Sequence, residues 1–317
     1  MGKLSSMNKQ KILQSLKKKI SDTLSDIRKI PETLRFYFTR DKVLLNVLMR
    51  LKNNKVEHRN FGDELNYYLV KSLINKPLFN LPCILVKNRR NYLVIGSIIE
   101  TYTNKDSIIW GSGAMFGGER ILNEKPKKVL AVRGPLTREY LLSQGVDCPE
   151  VYGDPALLLP LVYQPKVGKR YKLGVIPHFV DINSEYLSEL KNDPEVKVIK
   201  LRGYEEWHKV IDEICECEYV VSSSLHGLII SDAYKVPNMW VRLSNKILGG
   251  NFKYHDYFMS VGRDLREPLL IKHIVTKEEL LVHIKKYTHI KWDSEELLKA
   301  APFQLNIKRS CNDCSHG

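Results

Sequence analysis

Apolar residues in the segment 9–30 recur every three to four positions, and this spacing predicts an amphipathic helix. The apolar face consists of Ile12, Leu13, Leu16, Ile20, Leu24 and Ile27, and lysines occupy the opposite face. Such a basic helix is typical of segments that dock on anionic membrane surfaces. It is equally typical of a helix that packs on the protein with its lysines in solvent, and the sequence leaves both interpretations open.

From Val43 onward, short apolar runs alternate with segments of helical spacing, separated by glycine and proline. Strands are predicted at residues 92–95, 107–109, 128–132, 172–176, 196–201 and 219–221, and helices at residues 64–74, 135–142, 184–191, 207–215 and 225–234. Strands that alternate with helices form parallel sheets covered on both faces. The predicted fold class is therefore α/β, with two Rossmann-like domains and an active site in the cleft between them, at the carboxyl ends of the strands.

The domain boundary is expected at residues 166–170, a basic segment that contains glycine. We predict a basic amphipathic extension at residues 1–45, a first domain at 46–165, a second domain at 171–275, and closing helices with a flexible tail at 276–317. A chain of 317 residues is long enough for this organisation.

Charge narrows the range of partners. The formal net charge of +14 favours nucleic acid, anionic lipid or phosphorylated substrates. Nucleic acid is not predicted, because no helix-turn-helix, zinc-finger or RNP-type pattern accompanies the lysines. No apolar run approaches the roughly 20 residues that span a bilayer, and no signal peptide follows the first charges. We therefore expect a cytoplasmic protein, either free or peripheral on the inner face of the membrane.

The sequence predicts neither a metal nor a cofactor. Six cysteines are too few and too scattered for a disulfide framework in a chain of this size. The tail carries Cys311, Cys314 and His316, but a single C-x-x-C without a second pair is weak evidence for zinc, and we expect the tail to be unliganded. No Asp-x-Asp, HExxH or Walker motif is present.

The segment EYVVSSSLHGLIISDAYKVP, residues 218–237, carries the clearest chemical signal. A strand ends at three serines, and a helix begins directly after them. Backbone N–H groups and the positive end of the helix dipole meet at such a junction and favour anion binding. His226 lies in the first turn of this helix, beside the predicted substrate contacts Ser222, Ser223, Ser224, Leu225 and Gly227.

Four segments together resemble the polysaccharide pyruvyl transferase family. They are NFGDELN, the block from WGSGAMFGG through VLAVRGPLTREYLLSQGV to VYGDPALLLP, then GVIPHFVD, and SSSLHGLIISDAYKVP. The resemblance implies a GT-B-like pair of domains that moves pyruvate from phosphoenolpyruvate to two hydroxyls of one sugar. The product is a cyclic ketal in a bacterial surface polysaccharide. The implied partners are phosphoenolpyruvate on the second domain and, on the first, a sugar acceptor, expected to be a polyprenyl-diphosphate-linked oligosaccharide.

The resemblance also suggests roles for individual residues. His226 would be the general acid, in its charged form beside a phosphate dianion, and the alternative is a histidine that only packs at the helix start. Arg133 would clamp a carboxylate or phosphate with its planar fork, and the alternative is a surface salt bridge. The resemblance implies an arginine where this chain has Ser224, and this departure puts one anion contact in doubt unless another cation replaces it. Arg202, Arg242 or a lysine are the candidates.

Other residues are expected to face the cleft. His178 follows a predicted strand and would position or deprotonate the sugar hydroxyl, unless it is a buried structural histidine. Asp63 is predicted to cap a helix, and Asp154 to form a turn or cap, with a smaller chance of touching substrate. The remaining predicted substrate contacts are Asn60, Gly62, Gly111, Ser112 and Gly113.

Two rival functions remain compatible with the pattern. A metal-independent GT-B glycosyltransferase with a nucleotide-sugar donor would have the same domains, but no convincing acidic residue follows His226 to hold a ribose. A non-catalytic protein that coats membrane through its charge is the second rival. Detection of the released product separates the two enzymes, since one releases phosphate and the other a nucleoside diphosphate.

Overall fold

The computed structural model describes residues 2–52, 55–57, 60–264, 267–284, 287 and 289–306, and for residues 2–13 and 16 the backbone alone. The tail with Cys311, Cys314 and His316 lies outside the described residues. The architecture is α/β, with two five-stranded parallel sheets and a short antiparallel hairpin. Each sheet is formed by one half of the chain, which confirms the predicted fold class.

The first half contains helices α1 (Gly2–Phe38), α2 (Phe61–Ile74), α3 (Ile99–Tyr102) and α4 (Pro135–Ser143). Its strands are β1 (Val43–Leu45), β2 (Leu51–Lys52), β3 (Lys55–Val56), β4 (Leu78–Asn80), β5 (Asn91–Leu93), β6 (Ser107–Trp110) and β7 (Lys128–Ala131). The hairpin consists of β2 and β3, and the sheet has the order β4-β1-β5-β6-β7. Strand β1 precedes residue 46, so the first sheet begins earlier than the predicted domain boundary.

The second half contains strands β8 (Tyr171–Ile176), β9 (Val196–Val198), β10 (Cys217–Ser222), β11 (Asn238–Arg242) and β12 (Leu269–Leu270). Its helices are α5 (Ser188–Asn192), α6 (Trp207–Cys215), α7 (Leu225–Ala233), α8 (Phe252–Ser260), α9 (Lys277–Ile284) and α10 (Glu295–Lys299). The sheet order is β12-β11-β10-β8-β9. When each sheet's strands are numbered by their order in the chain, both sheets read 2-1-3-4-5. The direction in which strands are added to the sheet therefore switches between the first and third strands.

One apolar core is shared by the two halves. It includes Leu65 and Leu69 of α2, Ile211 of α6, and Leu228 and Ile229 of α7, all of them buried. Each sheet also carries one smaller apolar cluster, separate from the shared core. Because the halves share a continuous core, apolar packing fixes the carboxyl ends of the two sheets relative to each other.

The segment after α9 returns to the first half of the chain. The indole N–H of Trp292 donates to the Tyr152 carbonyl (3.1 Å), and that of Trp110 donates to the Leu297 carbonyl (2.9 Å). The backbone N–H of Asn306 donates to the Leu73 carbonyl (2.6 Å). These bonds tie the last described residues across both halves.

Helix α1 leaves the described part of its apolar stripe largely in solvent. Ile20, Leu24 and Ile27 are 60%, 50% and 54% exposed. At the end of the helix, Phe36 packs on the protein and contacts Phe79 edge-to-face with ring centroids 5.2 Å apart. The interpretation in which the stripe packs on the protein is therefore wrong for these residues. Among the described helices, none combines the length and the apolar composition needed to cross a membrane.

Candidate active site

The carboxyl ends of β8 and β10 are joined by hydrogen bonds from the serine turn. Ser222 Oγ lies 3.0 Å from the Ile176 carbonyl and accepts the N–H of Ser224 at 3.0 Å. Ser223 Oγ accepts the N–H of His178 at 2.8 Å. Both serines are fully buried. The prediction that Ser222 and Ser223 contact substrate is corrected, because their hydroxyls bond the protein and shape the turn.

The residues around the start of α7 pack closely. Gly227 has no room for a side chain, since a Cβ there would overlap Ser222 Oγ, and Leu225 is buried in the apolar core. These two predicted substrate contacts are therefore corrected to packing roles. Ser224 is the N-cap residue of α7 and forms no side-chain capping bond.

His226 lies in the first turn of α7, where the two halves meet. Its Nδ1 edge packs against Gly62 of α2, and a Cβ on that glycine would overlap the imidazole. The Nε2 atom is buried and has no hydrogen-bond partner among the described residues. An unpaired buried ring nitrogen is costly unless something bonds it, so this atom is a candidate contact for a ligand.

Both site histidines have a pKa far below the ordinary value. Burial, together with the charges of Arg133 and Lys253, lowers the pKa of His226 to about 3. Burial and Lys253 lower the pKa of His178 to about 4. Without a bound anion both rings are therefore neutral at pH 7, and the charged form expected for His226 beside a phosphate dianion stays a prediction.

Arg133 is 0% exposed, and the protein itself occupies its fork. Its Nε donates to Asp256 Oδ2 (2.8 Å), Nη1 to Ser97 Oγ (2.5 Å) and Nη2 to the Ala114 carbonyl (2.6 Å). This arrangement disagrees with the prediction that Arg133 clamps a carboxylate or phosphate, because a fully buried guanidinium is not accessible to a ligand. The surface-salt-bridge alternative is also wrong, since Arg133 and Asp256 form a buried ion pair.

Gly113 makes room for this arginine. A Cβ on Gly113 would overlap the Arg133 guanidinium, so we correct its predicted role from ligand contact to packing. Gly111 has a φ of +91° and lies against Pro155, which also indicates a structural role. Ser112 is fully buried, and its Oγ has no partner among the described residues.

Asp154 caps the short 3₁₀ helix Pro155–Leu161. Its Oδ1 accepts the N–H of Ala156 at 3.0 Å, which confirms the predicted cap. The other carboxyl oxygen is buried and has no partner among the described residues. Burial raises the pKa of Asp154 to about 6, and the nearby Arg133 opposes the rise.

The start of α2 supplies further polar groups. Asn60 is the N-cap residue, so the prediction that Asp63 caps the helix is wrong by three positions. Asn60 Nδ2 donates to Asp63 Oδ2 at 2.5 Å. Burial raises the pKa of Asp63 to about 7, and the Asn60 bond and the charge of Lys253 oppose the rise.

A cavity of about 1300 Å³ opens beside these residues. Its lining includes Asn60 and Asp63 from the first half, and Phe179 and Arg202 from the second. Leu24 of α1 also lines it. A space of this size with polar groups at one end can hold an oligosaccharide segment.

Lys253 is the site residue that sequence reasoning missed. It lies in the first turn of α8, a helix that was not predicted, and is 8% exposed. The signal was the spacing of Tyr254, Tyr257 and Phe258, whose apolar rings recur every three to four positions and are buried in the core. The charge of Lys253 affects His226, His178 and Asp63, which places these groups in one cluster.

Comparison with known proteins gives a family match. A family model described as "Polysaccharide pyruvyl transferase" matches residues 41–245. The succinoglycan biosynthesis protein ExoV of Rhizobium meliloti (strain 1021) is 30% identical over 216 residues, 65% of this chain and 63% of that protein. An uncharacterised protein of Acanthamoeba polyphaga mimivirus is 27% identical over 212 residues, 65% of this chain and 72% of that protein.

A search of solved structures finds a protein of uncharacterised function from Klebsiella pneumoniae subsp. pneumoniae NTUH-K2044. The alignment has a TM-score of 0.40 and 14% sequence identity, and it covers 73% of this chain and 93% of the other. A likeness at this level carries no argument about fold or function.

Proposed function

This chain belongs to the polysaccharide pyruvyl transferase family, and we propose that it moves pyruvate from phosphoenolpyruvate to two hydroxyls of one sugar, forming a cyclic ketal. The observation that carries the proposal is the buried Nε2 of His226 at the start of α7, which has no partner among the described residues, together with the buried Lys253 in the first turn of α8, whose charge reaches that ring. A proton carrier and a cation are the two groups that an anionic enol donor requires.

The reaction balances without an oxidant or reductant. A proton adds to the methylene carbon of phosphoenolpyruvate, and the central carbon becomes oxocarbenium-like. One sugar hydroxyl forms a C–O bond to that carbon, the bond to phosphate breaks, and the second hydroxyl closes the ring. Of the two protons lost by the sugar, one balances the new methyl hydrogen and the other leaves with phosphate.

His226 delivers the proton in this proposal. Burial and two cations depress its pKa in the ligand-free protein, and a bound phosphate dianion with its carboxylate reverses part of that effect. The imidazole then takes up a proton as the donor binds and passes it to the methylene carbon. Protonation thereby becomes linked to the presence of substrate.

The acceptor sugar lies in the large cavity beside the start of α2. Asn60 and Asp63 line this cavity and offer amide and carboxyl groups to sugar hydroxyls. His178 is neutral at pH 7 because its pKa is about 4, so its ring can accept a hydroxyl proton. The first half thus serves as the acceptor side and the second half as the donor side.

The membrane proposal concerns helix α1. Residues 2–40 contain ten Lys and Arg but three Asp and Glu, and the exposed stripe of Ile20, Leu24 and Ile27 lies on the same helix. Basic charge with an apolar face suits an anionic lipid surface. Because Leu24 also lines the cavity, docking would bring a polyprenyl-diphosphate-linked acceptor to the site.

Mass spectrometry of the acceptor tests the chemistry. The full chain is incubated with phosphoenolpyruvate and oligosaccharide acceptors, and we expect the mass of one ketal-linked pyruvate together with stoichiometric phosphate release. A matched incubation with nucleotide sugars is the control. Release of a nucleoside diphosphate in that arm, with no phosphate in the first, would establish the glycosyltransferase instead.

Flotation with liposomes tests the membrane proposal. We expect Ile20→Ser/Ile27→Ser, which leaves the cavity lining intact, to reduce binding to vesicles rich in anionic lipid, while turnover of a short soluble acceptor stays at the wild-type level. Each apolar side chain withdrawn from lipid weakens binding by ~1.5–3 kcal/mol at most. Equal flotation of the two proteins would refute membrane docking.

A further inference from the structure

Lys253 and Lys277 are equally buried, and their surroundings differ. Both lysines are 8% exposed. The Lys277 ammonium forms ion pairs with Asp193 (3.1 Å), Glu195 (2.5 Å) and Glu278 (3.5 Å). Within the described part of the chain, no carboxylate forms an ion pair with Lys253, and its ammonium lies 5.5 Å from the centroid of the Tyr254 ring. The charge of Asp63 favours the ammonium without forming an ion pair with it, and burial raises the pKa of that carboxyl to about 7, so it offsets the charge only in part. A buried ammonium that is only partly offset is expensive to maintain, so its retention calls for a ligand.

The groups around Lys253 form a site for an anion. The adjacent Tyr254 donates its hydroxyl to the Ser223 carbonyl (2.8 Å), which fixes the start of α8 against the serine turn. The start of α7 lies at the same turn, and its free N–H groups add the positive end of a nine-residue helix. His226 contributes its buried Nε2 atom, for which the described residues supply no hydrogen-bond partner. A cation, a helix N-terminus and an unpaired ring nitrogen therefore converge here.

Arg133 cannot serve in place of Lys253. Its guanidinium is neutralised by Asp256 and bonded on all three nitrogens. It still raises the positive potential nearby, because its charge contributes to the low pKa of both His226 and Lys253. Burial is the main cause that lowers the pKa of Lys253 to about 8, which leaves the ammonium largely charged at pH 7.

We propose that Lys253 is the phosphate-binding cation of the donor site and takes the place of the arginine that Ser224 replaces. A lysine acts on phosphate as a compact point charge, and an ammonium fixed on a helix holds the dianion beside the imidazole of His226. The proposal rests on the proposed function for the identity of the donor, whereas the anion site itself rests on the burial and contacts of Lys253, Tyr254 and His226.

Calorimetry with inorganic phosphate, pyruvate and phosphoenolpyruvate tests this assignment. We expect Lys253→Met to weaken binding of phosphate and phosphoenolpyruvate ~10–100-fold, the range for a hydrogen bond to a charged group, and to leave pyruvate binding unchanged. Lys253→Arg keeps the charge and should recover most of the affinity. Lys277→Met is the matched control, and we expect unchanged phosphate affinity together with a lower unfolding midpoint.

Stability gives a second readout. Lys253→Met should unfold at the same or a higher urea concentration than wild type, because it removes an unpaired buried charge, whereas a lysine with only a structural role would lose stability. Unchanged phosphate affinity in Lys253→Met, or weaker binding of pyruvate alone, overturns the assignment. If phosphate binding depends on Lys253 but no acceptor gains pyruvate, the anion site stands and the proposed function fails.

Discussion

The two sheets have the same strand order, yet the polar groups at their carboxyl ends are arranged in opposite ways. After β7 in the first sheet, Arg133 is bonded on every nitrogen and buried with its counter-ion Asp256. After β8 and β10 in the second sheet, the imidazoles of His178 and His226 are neutral, and one ring nitrogen has no partner among the described residues. The same topology therefore supports a closed structural network on one side and a set of available groups on the other.

The difference has a physical basis in the balance of charge. Asp256 offsets Arg133 and also bonds Thr137, accepting its backbone N–H at 2.8 Å and its hydroxyl at 2.7 Å, so that network is satisfied without a ligand. Lys253 forms no ion pair with a carboxylate in the described part of the chain, and burial, together with the Lys253 charge, lowers the pKa of the neighbouring histidines and keeps them neutral. Satisfied buried networks rigidify a protein, and unsatisfied ones remain available for ligands.

The largest expected effect is on turnover. His226→Gln retains a polar side chain of similar length but cannot carry the proton, so kcat should fall ~10²–10⁴-fold. Binding of phosphoenolpyruvate, measured by calorimetry, should change far less, because Lys253 still holds the phosphate. The exposed His273, which pairs with Glu279 at the surface, provides the control His273→Gln with wild-type kcat. If His226→Gln lost affinity and kept kcat, the ring would be a binding group.

The structural role of Arg133 should appear in the free energy of unfolding. Arg133→Met leaves Asp256 buried without its partner, and we expect a loss of ~3–5 kcal/mol in the free energy of unfolding, measured by urea denaturation. The exposed pair of Lys299 with Glu295 supplies the control, and Lys299→Met should leave the free energy of unfolding almost unchanged.

A double variant separates the two roles of Arg133. Arg133→Met/Asp256→Asn should lose less stability than the sum of the single changes, because the second substitution removes the unpaired charge. A clamp on the donor would behave differently. It would show weaker binding of phosphoenolpyruvate with little change in stability, and that result would restore the original prediction from sequence.

Sequence patterns predicted the elements that bear the candidate site more accurately than they predicted the contacts of its residues. The run from β10 into α7 was recognisable because apolar alternation stops at three serines and resumes at helical spacing, and α6 was predicted at its observed bounds. The partners of Arg133 could not be predicted, since Asp256 lies 123 residues away in sequence. Burial also decides whether a serine or arginine meets a ligand, and local pattern does not encode it.

Helix α8 also shows that local sequence does not predict which residues become neighbours in the fold. Its aromatic spacing is visible in the sequence, but the importance of Lys253 depends on which carboxylates the fold leaves beside it. Lys277 has an equally unremarkable local sequence and acquires three acidic neighbours. Only the packed structure distinguishes the two lysines, because the groups that lie near a charge in space decide whether it forms an ion pair.

The smallest expected effect tests the contact between the halves. In a helix, Gly→Ala ordinarily stabilises by up to ~1 kcal/mol. At Gly62 the sign should reverse, because the added methyl overlaps the His226 ring, and we expect a loss of ~1–3 kcal/mol in unfolding free energy together with lower kcat. Gly118→Ala is the control, since no atom lies within 4 Å of a Cβ there. A stable, fully active Gly62→Ala protein would mean that His226 does not depend on its packing against Gly62 of α2. The two sheets would then position their polar groups independently.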